Sequence, residues 1–241
     1  MLTDICTVAR KELVEIVLPD GGLRGSARNV LILLGVAGIW FPLQAGPRWF
    51  ASWTTVGVAC FPLMLVLNHA MDAFAGERER HTLETLLATR LDGRSILLGK
   101  TLAIVLYGWT LVVLGLPIGL VAVNLVPGGA GFLFFKPAIL ASVLVVAFCL
   151  ALLFCSVGIL ISIGAPTVRT AGQRLLGVFF VILTLPYTVP YLLNKLGWQQ
   201  TIARLEPIVI VMLIAAGFLL CAAAALGEAM RRFDRERLVL V

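Results

Sequence analysis

Six stretches of this chain contain no Asp, Glu, Lys or Arg: residues 29–47, 49–71, 101–135, 137–168, 175–194 and 207–227. Each is long enough to cross a bilayer, which takes roughly 20 predominantly apolar residues per helical pass. The stretches are continuously apolar and do not alternate, and lipid offers the backbone no hydrogen-bonding partner, so helices are expected and not a barrel. Only 13% of the 241 residues are charged, against roughly 25% in a soluble domain. That leaves too little polar surface to coat a globule. The expected fold is an all-α membrane protein, a single transmembrane domain over 1–241, with spans at about 29–46, 53–74, 100–124, 138–164, 172–193 and 207–228. The third stretch must also hold a turn, because Asn124 to Gly131 reads N-L-V-P-G-G-A-G.

Six crossings put both termini on one side, and the basic residues say which. If the N-terminus is cytoplasmic, fifteen of the nineteen Lys and Arg lie inside and only Arg48, Lys136, Lys195 and Arg204 lie outside. This positive-inside bias predicts a multi-pass protein of the cell (inner) membrane with cytoplasmic termini. Ahead of the first span, residues 4–18 place Ile5, Val8, Leu13, Ile16 and Val17 at helical spacing before Pro19-Asp20-Gly21 ends the pattern. An amphipathic helix in the membrane interface is expected there. A cleaved signal peptide fits poorly, since the first 27 residues mix both charge signs around no short apolar core. Trp49, Trp53, Tyr187, Tyr191 and Trp198 fall near the outer ends, as an interfacial aromatic belt would have them. A short external helix or a plain loop fits Trp198, Ile202 and Leu205 equally.

Chemistry inside the spans is sparse. A charged side chain at the bilayer centre costs roughly 2.5–3.5 kcal/mol on insertion scales, so ion relays stand out as buried acids, bases or histidines. Here Asp72, Glu206 and Glu228 all fall at span ends. Asn68, His69 and Asp72 form either a polar site near the inner mouth of a pathway or a group that satisfies itself or reaches water. No H-E-x-x-H or G-x-S-x-G occurs, so no catalytic residue is assigned. Gly93 to Thr101 superficially resembles a P-loop, but five residues separate its glycines where four are required, and it enters an apolar span. Cys6, Cys60, Cys149, Cys155 and Cys221 lack any ligand spacing, so no metal site is expected. Gly115-x-x-x-Gly119, Gly158 to Gly164 and the run 221–225 offer close helix approach without naming a dimer face.

The charged segment 75–100 carries the strongest signal. Leu83, Leu86 and Leu87 form a narrow apolar stripe, with Glu77, Arg78, Glu79, Arg80 and Glu84 around it, and Asp92-Gly93 marks a turn. This segment resembles the loop between the second and third helices of permeases in the ABC type-2 exporter family, E-R-E-x-G-T-L-E-x-L-L-A-T-P-L-S-R-x-x-I-x-x-G-K. Glu77, Arg78, Glu79, Thr82, Leu83, Glu84, Leu86, Leu87, Ala88, Thr89, Leu91, Ile96, Gly99 and Lys100 match without gaps. His81 stands where the family usually has Gly, and Arg90 where it often has Pro. The early Lys11-Glu12-Leu13 is also similar.

The resemblance implies a non-catalytic permease subunit of an ATP-driven exporter. Residues 77–89 would form a cytoplasmic coupling helix, with Glu77, Arg78, Glu79, Thr82, Leu83, Glu84, Leu86 and Leu87 docking on the ATPase. It implies ATP-binding cassette ATPase subunits and a second permease subunit as partners, in a homo- or heterodimer among membrane lipids, with no nucleic acid. ATP and Mg would be held by the ATPase and no cofactor by this chain. A structural scaffold that recruits a soluble partner, or a secondary carrier, is the alternative.

Overall fold

Apolar periodicity alone does not say where a long span bends, and proline and glycine decide it here. The computed structural model describes residues 2–17, 23–50, 54–82, 91–126, 131–178, 195, 197 and 206–233. Helix is the only regular structure among them. Among the described residues four helices are long and apolar enough to cross a membrane: Ala27–Phe50, Gly93–Asn124, Pro137–Ile163 and Pro207–Arg232.

Chain order begins with α1 (Leu2–Val17) and α2 (Leu23–Gly35), which continues through a π-helical turn at Val36–Trp40, α3 (Phe41–Ala45) and a 3-10 turn at Gly46–Phe50. The second apolar stretch is broken into α4 (Thr54–Ala59), a 3-10 turn at Phe61–Leu63 and α5 (Met64–Glu79). Pro62 lies in that turn, where its ring offers no N–H to the helical ladder. No single helix of spanning length therefore fills 53–74.

The third span begins at Gly93 and not at 100, as α6 (Gly93–Asn124). Asp92 is extended and its carbonyl accepts the Ile96 N–H at 3.1 Å, which starts the helix seven residues ahead of the expected start at 100. At 1.5 Å per residue α6 is about 48 Å long, well beyond the roughly 30 Å of hydrocarbon. Part of the helix therefore extends beyond the hydrocarbon. α7 (Pro137–Ile163) has Pro at its first position, where a missing N–H costs nothing. Residues 168–178 form α8 and Pro207–Arg232 forms α9. The remainder of the expected span 172–193 lies outside the described residues, as do Trp53, Tyr187, Tyr191, Trp198, Ile202 and Leu205.

Small residues set the packing. A Cβ on Gly38 would come within 2.9 Å of the Ile118 side chain, and one on Gly119 within 3.0 Å of Pro42 and 3.1 Å of the Trp49 indole nitrogen. The Gly115-x-x-x-Gly119 pair is thus used inside the chain, against the first span. Trp49 is correspondingly buried, at 2% exposure, and does not belong to an aromatic belt. Its ring fills the space that Gly119 leaves. α9 lies along α7 and buries Ala215, Ala222 and Ala229 at seven-residue intervals. At the far end from Lys100, the Asn124 amide brackets Leu133, donating to its carbonyl at 3.0 Å and accepting its N–H at 2.7 Å. Phe135 then meets Phe50 edge-on at 5.0 Å.

A close contact also joins α5 to α7. A Cβ on Gly158 would lie 2.5 Å from Ala70. One turn on, the buried Ser162 hydroxyl accepts the N–H groups of Phe74 and Ala75 at 3.1 and 2.9 Å and donates to the Met71 carbonyl at 2.7 Å. Replacing Gly158 by Leu should overpack this contact by about 1–3 kcal/mol and lower the thermal unfolding midpoint in detergent. Gly217, which faces open space, should accept Leu without change.

Candidate functional site

Where α5 stops and α6 starts, three helices converge on one ammonium group. Lys100 is 2% exposed, and its Nζ donates to Glu12 Oε1 of α1 and to Glu77 Oε1 of α5, both at 2.7 Å. The two carboxylates are nearly as enclosed, at 11% and 16%. Lys100 also lies 5.6 Å from the centre of the Phe74 ring, which packs on Phe233 at the end of α9. Burial pushes the Glu77 carboxyl above its ordinary range, against the pull of Lys100. Its second oxygen is buried without a hydrogen-bond partner among the described residues.

Gly99 makes this approach feasible. A Cβ there would sit 2.6 Å from Val8 and 3.1 Å from the Ile5 carbonyl, so only glycine lets α1 lie against α6 at this level. The Gly99-Lys100 pair thus has a divided role: the first residue admits α1, and the second fastens it through Glu12.

The next two residues of α5 fasten other elements. The Arg78 guanidinium donates to the carbonyls of Ala165 and, at 3.2 Å, of Ile163, which close the C-terminus of α7. The Glu79 carboxylate accepts the Val168 N–H at 2.9 Å, at the first turn of α8. Both contacts suit the helix dipoles, a cation at a C-terminus and an anion at an N-terminus. Glu77, Arg78 and Glu79 therefore tie α5 to α6, α7 and α8 in turn.

These positions correct the expected coupling helix. Residues 77–79 are the last turn of α5 and do not begin a separate helix at 77. His81 then takes φ +57°; its N–H reaches the Arg78 carbonyl at 3.1 Å, and the Thr82 N–H reaches the Glu77 carbonyl at 2.9 Å. This is a Schellman cap, which calls for a left-handed residue and normally for glycine. The requirement accounts for the glycine that the family places where this chain has His81. Glu77 and Glu79, expected to meet basic residues of a partner, are engaged inside the chain. Leu83, Glu84, Leu86 and Leu87 lie outside the described residues, as do Ala88, Thr89 and Arg90.

Among the described residues no hydrogen bond joins Asn68, His69 and Asp72. Asp72 pairs with Arg80, His69 meets Tyr107 edge-on at 5.1 Å, and Asn68 is exposed. Among the described residues no group of three or more His, Cys, Asp or Glu is placed to hold a metal. Glu12 and Ser162 were not singled out by sequence reasoning. Glu12 did leave a signal, since it interrupts the stripe of Ile5, Val8 and Ile16 on the buried face of α1.

The pattern that describes ABC-2 family transporter proteins matches residues 53–216, about two thirds of the chain. The chain belongs to the ABC-2 transporter family. A comparison with curated proteins gives no match. Within this ABC-2 permease the family match covers Glu77, Arg78, Glu79 and Lys100, whereas α1 and Glu12 precede it. The clamp therefore joins the family's common portion to a segment that the match does not reach.

Removing one partner of a buried ion cluster strands the others. Lys100→Met should cost about 3–5 kcal/mol, read by denaturation in detergent, and adding Glu12→Gln and Glu77→Gln to it should recover a large part. At the cap, His81→Gly should leave stability near or above that of the native chain. His81→Val should cost about 1–2 kcal/mol, because a Cβ-branched residue resists the left-handed region.

Proposed function

We propose that this ABC-2 permease is the membrane subunit of an ATP-driven exporter, in which a separate ATPase acts on the segment that follows the clamp. The observation that carries this reading is the three-way fastening by Glu77, Arg78 and Glu79. A force applied beyond His81 meets α5, α6, α7 and α8 together, so a small movement of the following residues reorients several helices as one body. Packed interfaces of this kind switch between discrete arrangements and do not deform continuously.

In this reading the docking face is the apolar stripe Leu83, Leu86 and Leu87, with Glu84 beside it. Glu77, Arg78 and Glu79 transmit the movement and do not touch the ATPase. Six crossings and a cytoplasmic placement of both termini complete the proposal, supported by the charge-free stretches and by the fifteen-to-four distribution of Lys and Arg. The working complex contains two permease subunits and two ATPases, with ATP and Mg on the latter. Its cargo crosses an apolar path poor in charge, which suits a lipid, a lipid-linked sugar, a peptide or a hydrophobic drug.

Substituting Leu83 and Leu86 together by Asp should leave the permease in the membrane but abolish ATPase association and substrate-stimulated hydrolysis in the reconstituted complex. Unchanged assembly and turnover would sink the docking assignment. Ion-driven flux without any ATPase would establish a secondary carrier, and ATPase recruitment without flux a scaffold.

A further inference from the structure

Beside the clamp, α1 and α6 leave an open groove of about 480 Å³ that nothing in the transport reading uses. Cys6, Arg10, Val14 and Val17 line it from α1, and Leu102 and Leu106 from α6. The spacing of the α1 residues is helical, so they form one stripe whose surface in the groove is apolar; Arg10 lends its stem to that wall, and its guanidinium stands outside it. The wall is exposed although apolar: Val14 and Val17 are 50% and 51% exposed, and Leu102 is 38%.

Two observations say what covers it. Lys100 is the last charged residue before a charge-free run to 135, so Leu102 and Leu106 occupy the first turns of α6 inside hydrocarbon. The groove therefore opens at the edge of the bilayer, at the depth where headgroup meets acyl chain. The other observation is the charge of Arg10. Its helical neighbours at three and four residues are Cys6, Thr7, Leu13 and Val14, with no acid among them. Lys11, by contrast, pairs with Glu15 at 3.0 Å. No carboxylate among the described residues pairs with Arg10.

We propose that this groove is a binding site for an anionic phospholipid, with its phosphate on Arg10 and an acyl chain along Val14, Val17, Leu102 and Leu106. A guanidinium offers phosphate a planar, bidentate donor pair, and it does so best where water is scarce. A zwitterionic lipid brings its own cation to the same phosphate and gains less. The proposal rests on the membrane placement of α6 and is independent of ATP-driven transport.

Cys6 provides a reporter inside the groove. Cys60, Cys149 and Cys155 are buried, and Cys221 is the other exposed thiol, so maleimide labelling of the full chain carrying Cys221→Ser reads Cys6. Phosphatidylglycerol in mixed micelles should slow that labelling at about tenfold lower concentration than phosphatidylcholine does, as one charge-assisted contact warrants. Arg10→Gln should remove the difference while leaving protection by either lipid at high concentration. Equal protection by both lipids in the native chain, or selectivity that survives Arg10→Gln, overturns the proposal. Protection by glycerophosphoglycerol, the headgroup without acyl chains, would assign the site to a soluble phosphate and overturn it too. Loss of ATPase docking in the Leu83 and Leu86 variant would leave these results unchanged.

Discussion

One ammonium group between two carboxylates decides how the charged end of this protein is put together. Lys100 is held by Glu12 and Glu77 with almost no water in reach, and removing any one of the three strands the others. Taking such ions out of water costs several kcal/mol apiece, which their attraction repays only in good geometry. The cluster is therefore better understood as a specifier of arrangement than as a source of net stability. It sets the register of α1 on α6, and with it the open groove beside them. Through Glu77 it also ties the last turn of α5 to α6. Among the described residues the second oxygen of Glu77 has no hydrogen-bond partner, so its first oxygen carries the contact to Lys100.

The same principle recurs along residues 77–79, where consecutive side chains leave one helix turn in different directions. Successive positions on a helix are about 100° apart, since 3.6 residues make a turn, so Glu77, Arg78 and Glu79 reach different neighbours. A short charged motif at the end of a span can thus join several helices without any loop between them. Ser162 adds a neutral version of that joint, its hydroxyl set against the backbone of α5. In an ABC-2 family protein this makes the end of α5 a stiff base for whatever follows His81.

Much of the architecture was legible in the sequence because lipid imposes simple rules. A span must be apolar, helical and about 20 residues long, and the helices Gly93–Asn124, Pro137–Ile163 and Pro207–Arg232 follow the charge-free stretches closely. Their ends were less legible. α6 starts seven residues early because Asp92 starts the helix before the apolar run begins, where apolarity carries no information. Trp49 looked interfacial because tryptophan commonly is, but a glycine on a distant helix made room for it inside. The segment 77–100 was recognisable as a motif, yet its letters suggested a docking surface where its first three residues act as internal fasteners.

By itself the sequence determined the solvent, the helical class and the family, since composition, uninterrupted apolar runs and a gapless motif are one-dimensional properties. Only the tertiary structure decided the partners of the charges. Glu12 and Lys100 are 88 residues apart, and Arg78 meets carbonyls 85 and 87 residues away. An ion's role depends on whether a counter-charge or water faces it, and that is a property of the packed helices. A glutamate on a solvated face and one beneath a buried lysine are the same letter until the fold brings the lysine.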